Sequence, residues 1–491
     1  MSLMTTTPEV AKPSFSAVAE SPQMPAGPLL RPGHNCWTIA SAPKAAILVD
    51  AKAYFCALEA ALRSAERSIL ILGWDFDGRI RLCPDNADDE QSLGELLRLL
   101  VEARPDLHVH VLVWSVAIAH APGASLPLLI GADWDNHPRI DVRLDTEHPI
   151  YAAHHQKVVC IDDAIAFSGG MDLTVSRWDT NDHAAEHPCR ITPDGEPYGP
   201  VHDVQVMVNG EAARHLGMLA RERWRRATGD MLAPVEGDEI RWPATLEPDF
   251  SDIDIAISRT MPAWRTEAAV EEIAELSADA LRAARRSIYI EAQYLTCTEI
   301  TKILADRLQE PDGPEIVAVV ACSSHGLMER LIMGNNRDRM IRSLRQVDHY
   351  DRLRVMYPAI GEGDTKCEIL VHAKVMVIDD TYLRIGSANL NNRSRGLDTE
   401  CDLTIEAKDP TAKNAVVAVR NRLLAEHLGT EPQMVADCLT GEYPLSACID
   451  RLNKTSGRHL CAFDAMSCGD GPCEPIFGTA ILDPARPISL V

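Results

Sequence analysis

The chain has 491 residues, with 72 Asp and Glu against 48 Lys and Arg, for a formal net charge of −24. That balance excludes a globally basic nucleic-acid-binding surface, and 46% hydrophobic with 24% charged residues excludes intrinsic disorder for the body of the chain. No stretch reaches the roughly 18 consecutive apolar residues that a membrane-spanning helix needs; runs such as Ile69–Leu72 and Ile316–Val320 have strand length.

In chain order, residues 1–40 read as a flexible leader rich in Thr, Ser, Pro and Ala, without the basic and apolar regions of a signal peptide. Residues 41–232 and 251–430 read as two lobes separated by a Pro/acidic linker, 233–250, and residues 431–491 read as an irregular extension. The lobes follow from an internal repeat. Ala60–Ile71 parallels Asp279–Ile290 at an offset of 219 positions, and His155–Asp163 parallels His372–Asp380 at an offset of 217. Each lobe then alternates helices with short apolar strands, including His108–Trp114 and Glu315–Ala321, and closes on a helix, Glu211–Ala227 or Ala412–Leu428. The pattern predicts α/β lobes with mixed sheets flanked by helices. The 14 cysteines lack disulfide-framework spacing and suggest reduced thiols; Cys461, Cys468 and Cys473 in the tail could bridge or bind a metal.

Each lobe carries the pattern HxKxxxxD: His155, Lys157 and Asp162 in the first, His372, Lys374 and Asp379 in the second. Period-2 alternation puts each His and Lys on one strand face and each Asp on the other. An imidazole beside an ammonium group is poor core material and good material for holding an anion. Lysine is scarce in this chain, yet two lysines occupy equivalent places in the repeat. Small-residue turns follow, with Ser168, Gly169 and Gly170 in the first lobe and Gly386, Ser387 and Asn389 in the second. Gly169, Gly170, Ser387 and Asn389 are expected to bind phosphate through backbone and side-chain donors. Asp203 and Glu400 open matching alternating strands and are expected to orient the histidines, each within its own half: Asp203 for His155 and Glu400 for His372. Asp162 and Asp379 are expected to hold the fold.

These paired motifs resemble the phospholipase D superfamily, as do Arg177–Thr180 with His183, His202–Val204 and Ile288–Tyr294. The resemblance covers roughly residues 45–428 and departs from the family at Ala292 and Asp172. It implies a pseudo-two-fold pair of phospholipase D-like lobes with one active site between them. It also implies hydrolysis of the distal phosphodiester of glycerophospholipids to phosphatidic acid and free headgroup. In that chemistry His155 attacks phosphorus to give a phosphohistidine and His372 protonates the leaving alcohol. Lys157, Lys374 and Asn389 neutralise the phosphoryl oxygens, so no cofactor and no metal are expected. An alcohol in place of water gives phosphatidyl transfer.

The rival readings are a cardiolipin synthase-like phosphatidyl transferase, a nuclease of the superfamily and a non-catalytic lipid-binding protein. The implied partner is a phospholipid at a membrane surface, met by a monomer with no nucleic acid bound. The implied location is the cytoplasm, a peripheral membrane site, or another cell reached as an effector without a signal peptide. Headgroup preference and the choice between water and alcohol are not encoded in these motifs. Two minor candidates remain. Asp182, His183, His187 and Cys189 have spacings that suit zinc, although His183 belongs to a segment expected to line the site entrance. Arg221, Arg223, Arg225 and Arg226 surround Trp224 and suit either anionic headgroups or an exposed helix face whose arginines cover that ring.

Overall fold

The computed structural model describes residues 28–86, 91–114, 134–149, 151–236, 241–322, 334–440, 444–465 and 483–486. The two lobes share one strand order. In the first, neighbouring strands run Ile140–Asp145, His108–Trp114, Ser68–Gly73, Val158–Ile161, Ile165–Gly169, Val204–Asn209 and Thr38–Val49. In the second they run Leu353–Ile360, Glu315–Val320, Ser287–Ala292, Lys374–Ile378, Tyr382–Gly386, Glu400–Glu406 and Phe250–Met261. Three strands of each lobe are parallel and the rest antiparallel. The sheets meet edge to edge: Thr38–Val49 pairs antiparallel with Phe250–Met261, Thr38 opposite Ile257 and Ala45 opposite Phe250. One mixed sheet therefore crosses the whole molecule, with the pseudo-dyad between these two strands, and helices flank it.

Local chemistry explains the helices. Asp50–Ser64 buries Tyr54, Phe55, Leu58 and Leu62, the three- and four-residue spacing of one helical face. Leu93–Ala103 starts at a capping box in which Ser92 and Glu95 satisfy each other's backbone N–H. Pro410–His427 starts from Asp409, whose carboxylate accepts from Ala412 N at 2.9 Å, with Pro410 at the first turn.

Asp162 and Asp379 do the same structural task in both lobes. Asp162 accepts from the backbone N–H groups of Glu66, Arg67 and Ser68 at 2.7, 2.8 and 2.7 Å. Asp379 accepts from Arg285, Arg286 and Ser287 at 2.7, 2.7 and 3.0 Å. Each carboxylate ties the end of its motif strand to the helix-to-strand junction that the repeat first revealed.

Two expected boundaries differ. The leader gives way to a strand at Thr38, because Thr38–Val49 is the seam strand of the sheet. The extension expected to be irregular contains helices Pro432–Thr440 and Leu445–Leu452 and a strand, Arg458–Ala462, that pairs with Leu353–Ile360. Its signal was weak because it lies outside the repeat and covers a sheet edge rather than forming a core of its own. Cys461 lies in that strand; Cys468 and Cys473 lie outside the described residues.

Candidate active site

The site lies where the motif strands of the two lobes approach the pseudo-dyad. Short backbone links cross the lobe boundary there: Val201–His202 pairs in parallel with Leu370–Val371, His155 N donates to Thr399 O at 3.0 Å, and His372 N donates to His202 O at 2.8 Å. These links set the orientation of both imidazoles. His155 Nδ1 lies 2.9 Å from Glu400 Oε2, and His372 Nδ1 lies 2.7 Å from Asp203 Oδ2. The carboxylates thus cross over, and the expected pairing within each half is corrected. The reason is the crossing backbone itself: each histidine is seated on the other lobe's strand and meets the acid that opens it. Among the described residues, Nε2 of neither ring has a hydrogen bond.

The lysines fill the space between. Lys157 Nζ pairs with Asp172 at 2.9 Å and donates to His155 O at 3.2 Å. Lys374 Nζ contacts Gln293 Oε1 at 3.4 Å, and His372 through its backbone oxygen and, at 3.2 Å, its Nδ1. Burial, then the field of Lys157 and Lys374, holds the His155 imidazole well below its ordinary value. Burial and Lys374 lower His372 to about 3, so that ring is neutral in the free protein. Burial and the neighbouring cations, against the pull of Asp203 and Glu400, bring Lys374 down to about 8.

The orienting carboxylates differ. Burial would raise Asp203, but His372 and Lys374 draw it down to about 2. Burial raises Glu400 to about 7, against hydroxyl donation from Ser387 at 2.5 Å and Ser394 at 2.7 Å.

The turns have a different job from the one expected. Gly170 N donates to Val204 O at 3.2 Å, and a Cβ on Gly170 would stand 2.2 Å from Asp203 Oδ1. A Cβ on Gly169 would meet Gln205 at the same distance. Ser387 N donates to Cys401 O at 3.1 Å, and its hydroxyl is spent on Glu400. Gly170 therefore makes room for Asp203 and Gly169 for Gln205, while Ser387 donates to Glu400, and the N–H groups of Gly170 and Ser387 are taken by backbone rather than presented to phosphate. Asn389 remains open: it is buried, and its Oδ1 has no hydrogen-bond partner.

A sequence profile described as Phospholipase D matches residues 334–475. The chain is 26% identical over 468 residues to phospholipase D A of Dictyostelium discoideum, a match covering 79% of this chain and 36% of that protein. It therefore spans about a third of that relative's length. It is 23% identical over 415 residues to a cardiolipin synthase of Geobacillus kaustophilus, covering 82% of this chain and 71% of the relative. The phosphatidylserine synthase of Haemophilus influenzae Rd KW20 shares the fold, with a TM-score of 0.55 at 13% identity over 79% of this chain and 89% of that one. These matches make the chain similar, by sequence, to proteins of the phospholipase D superfamily.

Within this site, sequence reasoning missed three side chains. Asp172, which the sequence marks only as a departure from the family pattern, is the carboxylate that pairs with Lys157. Gln293 touches Lys374, and the positive field of Arg177 reaches Asp172, His372 and Lys374. Arg177 and Gln293 lie in segments already singled out, and proximity to the lysines was the missing information.

The zinc-spaced cluster is not assembled. His183 turns inward to Asp179 and Glu426, His187 packs on Trp178 with ring centroids 5.1 Å apart, and Cys189 Sγ donates to Pro84 O at 3.5 Å. The arginine cluster is paired rather than open. Arg221 binds Asp163, Arg223 binds Asp145, and Arg225 and Arg226 bind Glu222, while Trp224 is buried. Among the described residues no helix is long and apolar enough to cross a membrane.

Proposed function

We propose that this enzyme is a phospholipase D that hydrolyses the distal phosphodiester of glycerophospholipids, releasing phosphatidic acid and the free headgroup. The observation that carries this reading is the pair of imidazoles, each with Nδ1 held by a carboxylate of the opposite lobe and with lysines beside it. A carboxylate on Nδ1 fixes the tautomer whose Nε2 carries the lone pair. His155 Nε2 attacks phosphorus, the bond from phosphorus to the headgroup oxygen breaks, and His372 Nε2–H protonates that oxygen. His372 is neutral in the free protein; the negative charge of the bound phosphodiester offsets the lysines and, with ionised Asp203, favours the imidazolium that serves as acid. Water then attacks the phosphohistidine on His155, His372 takes its proton, and the P–N bond breaks.

Lys157, Lys374, Arg177 and Asn389 carry the charge on the phosphoryl oxygens. Both half-sites sit on one chain, so a monomer suffices. An acceptor alcohol can replace water in the second step, and similarity to a cardiolipin synthase supports that transfer as the second reading. The test is incubation of the full chain with mixed phospholipid vesicles and a primary alcohol, with products identified by mass. Phosphatidic acid supports hydrolysis, and phosphatidyl-alcohol dominating at low alcohol supports transfer. Intact lipid alongside cleaved oligonucleotide overturns both.

A further inference from the structure

Behind the catalytic histidines lies a second, fully buried cluster that the reaction does not use. Asp50, His183 and His202 of the first lobe meet Glu426 of the second, and their ligand-type atoms lie within 4.8 Å of one another. His202 Nδ1 is 2.7 Å from Glu426 Oε1 and 3.1 Å from Asp50 Oδ1; His183 Nε2 is 3.2 Å from Glu426 Oε1 and 3.5 Å from Asp50 Oδ2. A tetrahedral ion with bonds of about 2.1 Å has ligand-to-ligand edges of about 3.4 Å, and these four separations, taken to one or other oxygen of Asp50, bracket that edge.

Two further observations point to an ion. The far nitrogen of each ring is held by a carboxylate: His183 Nδ1 by Asp179 at 2.8 Å and His202 Nε2 by Glu291 at 2.9 Å. That carboxylate–histidine arrangement fixes ring orientation and raises basicity in metal-ligating histidines. Asp50 Oδ2 is buried and has no hydrogen-bond partner, His183 Nε2 standing 3.5 Å away, so it keeps a lone pair for a closer positive partner.

We propose that Asp50, His183, His202 and Glu426 form a closed, four-coordinate site for a divalent transition-metal ion, with zinc the ion that best suits two imidazoles and two carboxylates.

The ion is structural, since all four positions are taken by protein, and it leaves the metal-free chemistry at phosphorus intact. It joins the lobes through Glu426, and His202 immediately precedes Asp203, so it also stiffens the carboxylate that orients His372.

The test is metal analysis of the full chain grown with zinc. The expected result is one zinc per chain that survives gel filtration, and a visible tetrahedral d–d spectrum after growth with cobalt. His183→Gln and Glu426→Gln are expected to lose at least about nine-tenths of the metal, while His187→Ala retains it. Because either cluster variant could fail to fold, the thermal midpoint of wild-type protein is also measured before and after prolonged chelator dialysis and zinc return, with a reversible fall expected. A folded wild-type chain that neither contains nor takes up zinc or cobalt overturns the proposal, as does zinc retained in both cluster variants. Metal content is read without lipid turnover, so its failure leaves the proposed reaction untouched.

Discussion

The two half-sites occupy equivalent positions in a duplicated fold, yet their surroundings differ. His372 faces Asp203, an acid drawn down to about 2, and its neighbour Lys374 contacts an amide and the histidine itself. His155 faces Glu400, an acid raised to about 7 and gripped by two serine hydroxyls, and its neighbour Lys157 is paired with Asp172. A permanently ionised carboxylate supports an imidazolium, which suits a general acid. A carboxyl that is half-protonated near neutrality supports that charge poorly, which suits a histidine that must present a neutral lone pair. Asymmetry therefore comes from the acids and the lysine partners, not from the histidines.

The largest expected effect breaks either half outright. His155→Ala and His372→Ala should each lower turnover by roughly four orders of magnitude, because neither half supplies both nucleophile and acid. The comparison sharpens with a p-nitrophenyl phosphodiester, whose leaving group needs no proton. On that substrate His372→Asn should accumulate acid-labile, alkali-stable phosphate on the peptide bearing His155. Label on His372 in His155→Asn enzyme, and none in the converse variant, would reverse the roles.

The orienting acids should separate next. Asp203→Asn should cost roughly 10³-fold in kcat, since it removes the charge that stabilises the His372 imidazolium. Glu400→Gln should cost roughly 10-fold to 100-fold, because an amide oxygen still accepts from His155 Nδ1. Equal losses would show that the two halves are chemically alike.

The pH profile offers a third division. Glu400 gains a proton as pH falls through about 7, and His155 then loses the negative charge beside its Nδ1; Lys374 loses its charge as pH rises through about 8. The kcat/KM profile should be a narrow bell with its acid limb from the first half-site and its alkaline limb from the second. Glu400→Gln should flatten the acid limb, and Lys374→Arg, with a guanidinium that stays charged, should move the alkaline limb upward.

The smallest effect is structural. Asp162→Asn and Asp379→Asn should each lower stability by about 1–2 kcal/mol, read as a fall in thermal midpoint. Asp162 should cost more because it also pairs with Arg241 at 2.8 Å, whereas the N–H groups of Arg285 and Arg286 that Asp379 binds are exposed.

Local sequence determined the repeat, the alternation of helices and strands, the two motifs and the aspartates that lock each helix-to-strand junction. These are legible because hydrophobic periodicity and short-range hydrogen bonding act within a few residues. Proximity of His155 to Glu400 is separated by 245 positions and that of His372 to Asp203 by 169. No local pattern encodes such a distance, and alignment of the repeats matched each acid with the histidine of its own half. Only the antiparallel seam between Thr38–Val49 and Phe250–Met261, with the backbone links across the dyad, decided that the acids exchange partners. The same seam packed Glu426 beside Asp50, His183 and His202. Sequence supplied the reactive groups in duplicate, and tertiary structure distinguished the copies, because the field at each imidazole depends on which charges packing brings within a few ångströms.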